Sequence, residues 1–391
     1  MLFRSMSLTN IMGLLGGLAL FLYGMQMMSQ GLENAAGNKM QQILEKLTAN
    51  RFLGVLVGAL ITAVIQSSSA TTVMVVGFVN AGMMTLNQAV WIIMGANIGT
   101  TITGQLIALD AGAVAPIIAF IGVILIIFSK KEKIGYVGSI LAGLGILFIG
   151  MDMMGGSMEP LAQSQSFISL LTKFSNPILG ILAGTIFTAI IQSSSASVGI
   201  LQALAGSGIV TLDSAAFILF GQNIGTCITA FLAALGANRN AKRTTIIHIT
   251  FNVIGTIIFT ILCITTPLIP VLQGMTESAP KQIANLHTMF NVTTTLILLP
   301  FGTALTKLAQ HILPDPKTGE PVQGQIGHLL TKNSDVLGMA SITLEETKRK
   351  LEDMLLLAEQ NVHSSYDVFL QCDRNVFQQI EKREEQVDEQ P

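Results

Sequence analysis

The sequence predicts an all-α polytopic membrane protein: two inverted-topology repeats, each with a re-entrant helical hairpin, and a C-terminal helical cytoplasmic tail. Three observations carry this. Half of the 391 residues are hydrophobic and 11% are charged, with a mean hydropathy of +0.62; a soluble domain carries about 25% charged residues. The chain matches itself at a shift of 126 residues. Each copy holds the same polar word, AVIQSSSATTV at 63–73 and AIIQSSSASVG at 189–199. Four adjacent small polar side chains in an apolar region are costly unless they find partners.

The repeat runs without gaps for nearly a hundred residues. Leu15–Glu33 lies on Leu141–Glu159 with 8 of 19 positions identical. The same shift places Gly58 on Gly184, Gln66 on Gln192, Gly82 on Gly208 and Thr85 on Thr211. It then lays GANIGTTIT (Gly95–Thr103) on GQNIGTCIT (Gly221–Thr229). This is a duplication, and paired apolar halves with matching Gly/Ser interruptions are the pattern of secondary transporters. The boundaries follow: residues 1–133 for the first repeat, 134–264 for the second, 265–311 for an additional transmembrane helix and 312–391 for the tail.

In the first repeat a crossing helix is expected at 10–30 and an amphipathic surface helix at 34–49. Two apolar pieces, 52–65 and 70–82, flank the polar word. Each is shorter than the roughly 20 residues of a span, so they read as a re-entrant hairpin. Crossings at 86–109, interrupted by NIGTT, and at 113–129 complete the repeat. Three crossings put the second repeat on the opposite face. After its last crossing (245–264) a further helix covers 284–305. The basic residues agree. One face receives Lys39, Lys46, Arg51, Lys130, Lys131, Lys133, Arg239, Lys242, Arg243 and Lys307. The other receives Arg4, Lys173 and Lys281. By the positive-inside rule the N-terminus is outside the cell membrane and the tail is cytoplasmic.

Residues 1–329 hold 14 Lys+Arg and 10 Asp+Glu; the last 62 hold 7 and 13, so the tail is a separate acidic segment. A Pro-rich break at Ile312–Pro321 precedes apolar residues at helical spacing, and helices at 326–361 and 363–388 are expected. The three cysteines, Cys227, Cys263 and Cys372, show no pairing or metal-ligand pattern and read as free thiols. The N-terminal apolar run belongs to the repeat, so it is not a cleaved leader.

Inverted repeats bring the hairpin tips together near the midplane. Each tip puts serines (Ser67, Ser68 and Ser69; Ser193, Ser194 and Ser195) at the N-terminus of the second half-helix. Unpaired N–H groups and the positive dipole end favour an anion there. The first half-helix ends in free carbonyls near Thr62–Ile65 and Thr188–Ile191. With oxygens from Gln66, Gln192, Asn97, Thr100, Thr101, Asn223 and Thr226 they suit a small hard cation such as Na+. No Arg or Lys lies deep in a proposed span, so a co-bound cation supplies the missing charge. Small-residue packing is the competing use of the NIGT segments.

Other polar residues have plainer readings. His248 and Asn252, like His287 and Asn291, lie four apart on one helix face and read as interhelical hydrogen bonders, with a proton or substrate role as the alternative. Asp152, an intramembrane carboxylate, is a cation or proton candidate unless it reaches the interface. Asp213 and its counterpart Asn87 read as helix caps. Trp91 and Tyr23 read as packing or interface anchors. No serine shows a His/Asp pattern of nucleophilic catalysis, so an enzyme is not expected.

With QSSS at Gln66–Ser69 and again at Gln192–Ser195, residues 10–310 resemble the bacterial branch of the type II sodium–phosphate cotransporter family. The resemblance implies Na+-coupled symport of inorganic phosphate, phosphate at the two tips, Na+ close by and a homodimer. The tail resembles the start of a PhoU-like helical domain, with Glu384 and Asp388 four apart in EKREEQVDEQ. The family also holds members thought to move phosphate outward. Phosphate efflux, carriage of another oxyanion and a membrane phosphate sensor are the alternatives.

Overall fold

The computed structural model describes residues 7–36, 50–109, 111–162 and 173–315. The tail helices, and the surface helix expected beyond Ala36, fall outside them. The described residues form helices and connecting turns. The first copy contains α1 (Leu8–Ala36), α2 (Arg51–Ile65), α3 (Ser68–Asn80), α4 (Leu86–Ile107), α5 (Ala115–Phe128) and the start of α6 (Glu132–Ala162). The second contains most of α6, then α7 (Pro177–Ile191), α8 (Ser194–Gly206), α9 (Leu212–Gly225), α10 (Cys227–Ala234) and the first part of α11 (Arg239–Thr265). Then come α12 (Leu268–Met275), α13 (Ala279–Leu298) and α14 (Gly302–Ile312). Among the described residues six stretches are long and apolar enough to cross a membrane: Leu8–Ala36, Leu86–Ile107, Glu132–Met158, Leu212–Ala234, Arg239–Thr265 and Ala279–Ile312. The 113–129 segment forms the shorter α5.

The two copies fold by the same local rules at the same offsets. Asn50 and Asn176 cap α2 and α7, each accepting from the N–H two residues on. Both helices end at a glutamine in the left-handed region, Gln66 at φ 58° and Gln192 at φ 59°. There the glutamine N–H returns to the Thr62 or Thr188 carbonyl at 2.7 Å. A serine then starts the next helix: Ser67 accepts from the Ala70 N–H and Ser193 from the Ala196 N–H. Gly82 and Gly208, both at φ +73°, close α3 and α8.

Glycine seams set the helix directions. Gly17 meets Gly150 and Gly24 meets Gly143, so α1 and α6 run antiparallel with their backbones in contact. Along α2 and α4, Gly58 faces the Ile92 carbonyl, Gly95 that of Val55 and Gly99 that of Ala59. Gly54 on Trp91, Gly58 on Ile92 and Gly99 on Thr62 ascend together, so α2 and α4 run parallel and α3 must lead the chain back between them. The second copy repeats the set residue for residue: Gly184 with Ile218, Gly221 with Ile181, Gly225 with Thr185. Phe220 stacks on Phe290 at 5.2 Å and both meet Phe259, joining α9, α11 and α13. On the outside α5 buries only Ala115 and Gly122, and Ile117, Phe120, Ile127 and Phe128 stand exposed, a face suited to lipid. At the far end buried Arg243 donates to the Leu313 carbonyl (3.0 Å) and the Asp315 carboxylate (2.7 Å), fixing the chain's exit against α11.

Two expectations change, and two readings left open are resolved. The crossing at 86–109 is not interrupted: α4 is one helix through NIGTT, and in the second copy Thr226 keeps helical dihedrals (φ −57°, ψ −28°) with its N–H on the Gln222 carbonyl at 3.0 Å, so α9 runs on into α10. Capping falls to Thr85, which forms a capping box with Gln88, rather than to Asn87, whose Oδ1 accepts from Thr306 (2.9 Å). Asp213 lies in the first turn of α9 beyond the cap position Thr211 and makes no cap bond. Trp91 is core: it is 8% exposed and its ring lies over Gly302. Asp152 is exposed and its carboxylate lies against Gly112.

The seams make glycine substitutions unequal. Gly58→Ala should lower stability by about 1–3 kcal/mol, because its Cβ strikes backbone. Gly77→Ala, in open space within α3, should be neutral or stabilising by up to about 1 kcal/mol. Thermal unfolding of the purified protein in detergent reads both; equal behaviour would contradict the seam.

Candidate functional site

The two polar words meet. Ser68 Oγ lies 3.4 Å from Ser194 Oγ, residues separated by the repeat offset of 126. Both are buried, at 4% and 7% exposure. Each is the first residue of its helix, after a capping serine. The helix N-termini of α3 and α8 therefore converge on one point, and with them two positive dipole ends and hydroxyl donors. Among the described residues no group of three or more His, Cys, Asp or Glu side chains could hold a metal. The centre is polar and uncharged, the chemistry that binds an anion without a fixed countercharge.

The expected site residues are not all equivalent. Ser67 and Ser193 are caps, their hydroxyls engaged by Ala70 and Ala196. Ser195 donates towards the Gln66 carbonyl (3.5 Å) and Thr103 Oγ1 (3.4 Å). Gln66 is buried, accepts at Oε1 from Thr103 (2.7 Å) and donates from Nε2 to the Ala63 carbonyl. Its counterpart Gln192 is exposed, and Ser69 is half-buried. Ser29 donates to the Ile65 carbonyl at 2.6 Å. Carbonyls in the first tip are thus already taken, and the second copy has Gly155 where Ser29 stands.

The NIGT residues keep their donors within their own helices. Asn97 and Asn223 donate to the Ile93 and Leu219 carbonyls, and Thr100 and Thr226 to those of Ala96 and Gln222. Thr101 donates to Ile98. A hydroxyl whose hydrogen is engaged this way still offers lone pairs. Asn223 Oδ1 also accepts from Asn291 at 3.4 Å. His248 and His287 are buried, and each carbonyl accepts from the asparagine four residues on.

Three residues, Thr103, Ser197 and Gln222, escaped the sequence reading, and Thr188 was read for its carbonyl and not its hydroxyl. Thr103 ends the repeated GANIGTTIT word, and that position was its signal. Thr188, Ser197 and Gln222 have fully buried oxygens with no hydrogen-bond partner (Thr188 Oγ1, Ser197 Oγ, Gln222 Oε1). Gln222 and Ser197 are neighbours, since Gln222 Nε2 donates to the Ser197 carbonyl at 3.0 Å, and Thr188 packs against Gly225 on the same helix as Gln222. In the first copy the equivalents Thr62 and Thr71 simply bond each other at 2.9 Å, and alanine replaces Gln222. A lone glutamine in an apolar helix was the available cue.

A multi-pass helical membrane protein whose duplicated halves present one uncharged polar word to each other has the build of a membrane transport protein. The family described as Na+/Pi-cotransporter matches residues 20–156 and 150–268, more than half of the chain, and the chain belongs to that family of phosphate transporters. The matched residues stop short of the tail, so they give no support to a PhoU-like domain there. The chain is 32% identical over 295 residues to the uncharacterized protein YqeW of Bacillus subtilis, covering 75% of this chain and 95% of that one. It is 26% identical over 336 residues to the "Putative inorganic phosphate export protein YjbB" of Salmonella typhimurium, 86% of this chain and 60% of that protein. It is 38% identical over 98 residues to the human sodium-dependent phosphate transport protein 2B, 25% of this chain and 14% of the human one. No solved structure matches it.

Removing a capping hydroxyl tests the local account. Ser193→Ala should cost about 1 kcal/mol and Ser193→Gly only a few tenths, read by thermal unfolding. Equal losses would mean that the cap does not hold the tip.

Proposed function

We propose that this protein is a sodium-coupled symporter of inorganic phosphate working by alternating access at the cell membrane. The observation that carries the reading is the contact of Ser68 with Ser194 across the repeat offset. An oxyanion would take the place of that hydroxyl–hydroxyl contact, accepting from Ser67–Ser69, Ser193–Ser195 and the free N–H groups behind them. Neutral donors can release a divalent anion, and a co-bound cation balances it. For Na+ we favour the oxygens of Gln66, Gln192, Asn97, Thr100, Thr101, Asn223 and Thr226, joined by the unpartnered oxygens of Thr188, Ser197 and Gln222. A buried unpaired oxygen is costly and a bound cation relieves that cost.

The antiparallel packing of α1 on its own repeat counterpart supports inverted halves. The return of α3 beside α2 supports a re-entrant hairpin in each. Basic residues on one face support an external N-terminus and a cytoplasmic tail. A homodimer follows from the family resemblance alone. The domain division at 133 and 264 stands on the repeat, and that at 311 on the Pro-rich break at Ile312–Pro321. Phosphate export is the second reading, favoured by the name of the Salmonella relative.

Radiolabelled phosphate uptake into proteoliposomes under an inward Na+ gradient tests the proposal, with K+ or choline as the replacement. Uptake should require Na+, and Ser68→Ala or Ser194→Ala should reduce it about tenfold or more, as loss of a hydrogen bond to a charged ligand does. Equal uptake without Na+ would sink the coupling. Truncation after Lys332 should leave uptake intact; its loss from folded truncated protein would give the tail an obligatory part.

A further inference from the structure

The two copies share their helix ends and glycine seams and differ where they touch. The glycine seams, caps and left-handed glutamines recur at equal offsets. Between copies only one of two equivalent contacts exists. Ser195 donates to Thr103, and Thr103 donates to Gln66 Oε1, making a short relay from the second copy into the first. Gln66 and Thr103 are 5% and 1% exposed. The equivalent residues are Ser69, Thr229 and Gln192. Gln192 is exposed and Thr229 donates instead to the Thr226 carbonyl of its own helix at 3.1 Å.

Two units of matching backbone build joined by one asymmetric contact can take a second arrangement, in which the contact forms on the other side. We infer that Gln66, Thr103 and Ser195 form a latch that closes one side of the polar centre, and that Gln192, Thr229 and Ser69 form the same latch when the other side closes. Thr103 is the pivot, because its hydroxyl both accepts and donates; Thr229 has that place in the exchanged state. These threonines are positioning residues. The inference rests on the alternating-access reading for its use, but the exchange itself needs no substrate.

Cysteine pairs test it, in full-length protein with Cys227→Ala, Cys263→Ser and Cys372→Ser, oxidised by copper phenanthroline in proteoliposomes. The pair Thr103→Cys with Ser195→Cys should cross-link, and so should Ser69→Cys with Thr229→Cys. Thr103→Val should speed cross-linking of the second pair about fivefold, the population change expected from losing one buried hydrogen bond. Thr103→Ser, which keeps the hydroxyl, should restore the original rate. Folding of each variant is checked by size-exclusion profile and helical content. If the first pair links and the second never does in folded protein, the latch does not exchange and the inference is overturned. Thr103→Val and Thr103→Ser behaving alike would overturn the pivot. Uptake is read in the parent protein that carries only Cys227→Ala, Cys263→Ser and Cys372→Ser. Cross-linking of both pairs beside a parent that moves no phosphate would sustain the latch and sink the transport reading, and normal uptake by the parent with no link in the second pair would do the reverse.

Discussion

Everything in this fold depends on satisfying broken backbone inside an apolar body. A helix that stops among apolar side chains leaves carbonyls and N–H groups that lipid cannot pair. Both copies answer in the same way. A left-handed glutamine returns its N–H to the carbonyl four residues back, and a serine hydroxyl takes up an N–H of the next helix. The donors that remain all point at one place. The chemistry of the centre is thus a residue of the folding problem: groups left over from ending a helix become the groups that meet a ligand.

The glycine seams make this possible by fixing where the tips lie. Backbone-to-backbone contact along α2–α4 and α7–α9 leaves no side chain to adjust, so each tip is carried on a rigid pair of helices. Such units move as bodies more readily than they deform. The asymmetry between buried Gln66 and exposed Gln192 is then a property of how two like bodies lean on each other.

Much of this was legible in sequence. The offset of 126 predicted equal helix ends, and α2 with α7 and α3 with α8 begin and end at equivalent residues. QSSS pointed at the centre because polar residues in an apolar run need partners. What was not legible was which partners. NIGT recurs in both copies, but Thr101 follows it in the first and Cys227 in the second: Thr101 donates to the Ile98 carbonyl, whereas Cys227 meets the Asn223 carbonyl and the Asn252 amide. The capping role of Thr85 over Asn87 depended on geometry within one turn. Gln222 and Thr188 became candidates only when their oxygens emerged buried and unpartnered, a property of packing that no spacing carries.

The seam between α1 and α6 has a consequence of its own. Gly17 and Gly24 of α1 meet Gly150 and Gly143, which are the repeat equivalents of Gly24 and Gly17. The contact is therefore a helix docked on its own copy, the self-complementary kind that two identical chains make. Duplication required no new surface here. A single ancestral half would already have carried both sides of the joint, and fusing two halves made an existing pairing permanent while freeing each copy to vary. The glutamines at 202 and 222, present in one half alone, are what that freedom looks like.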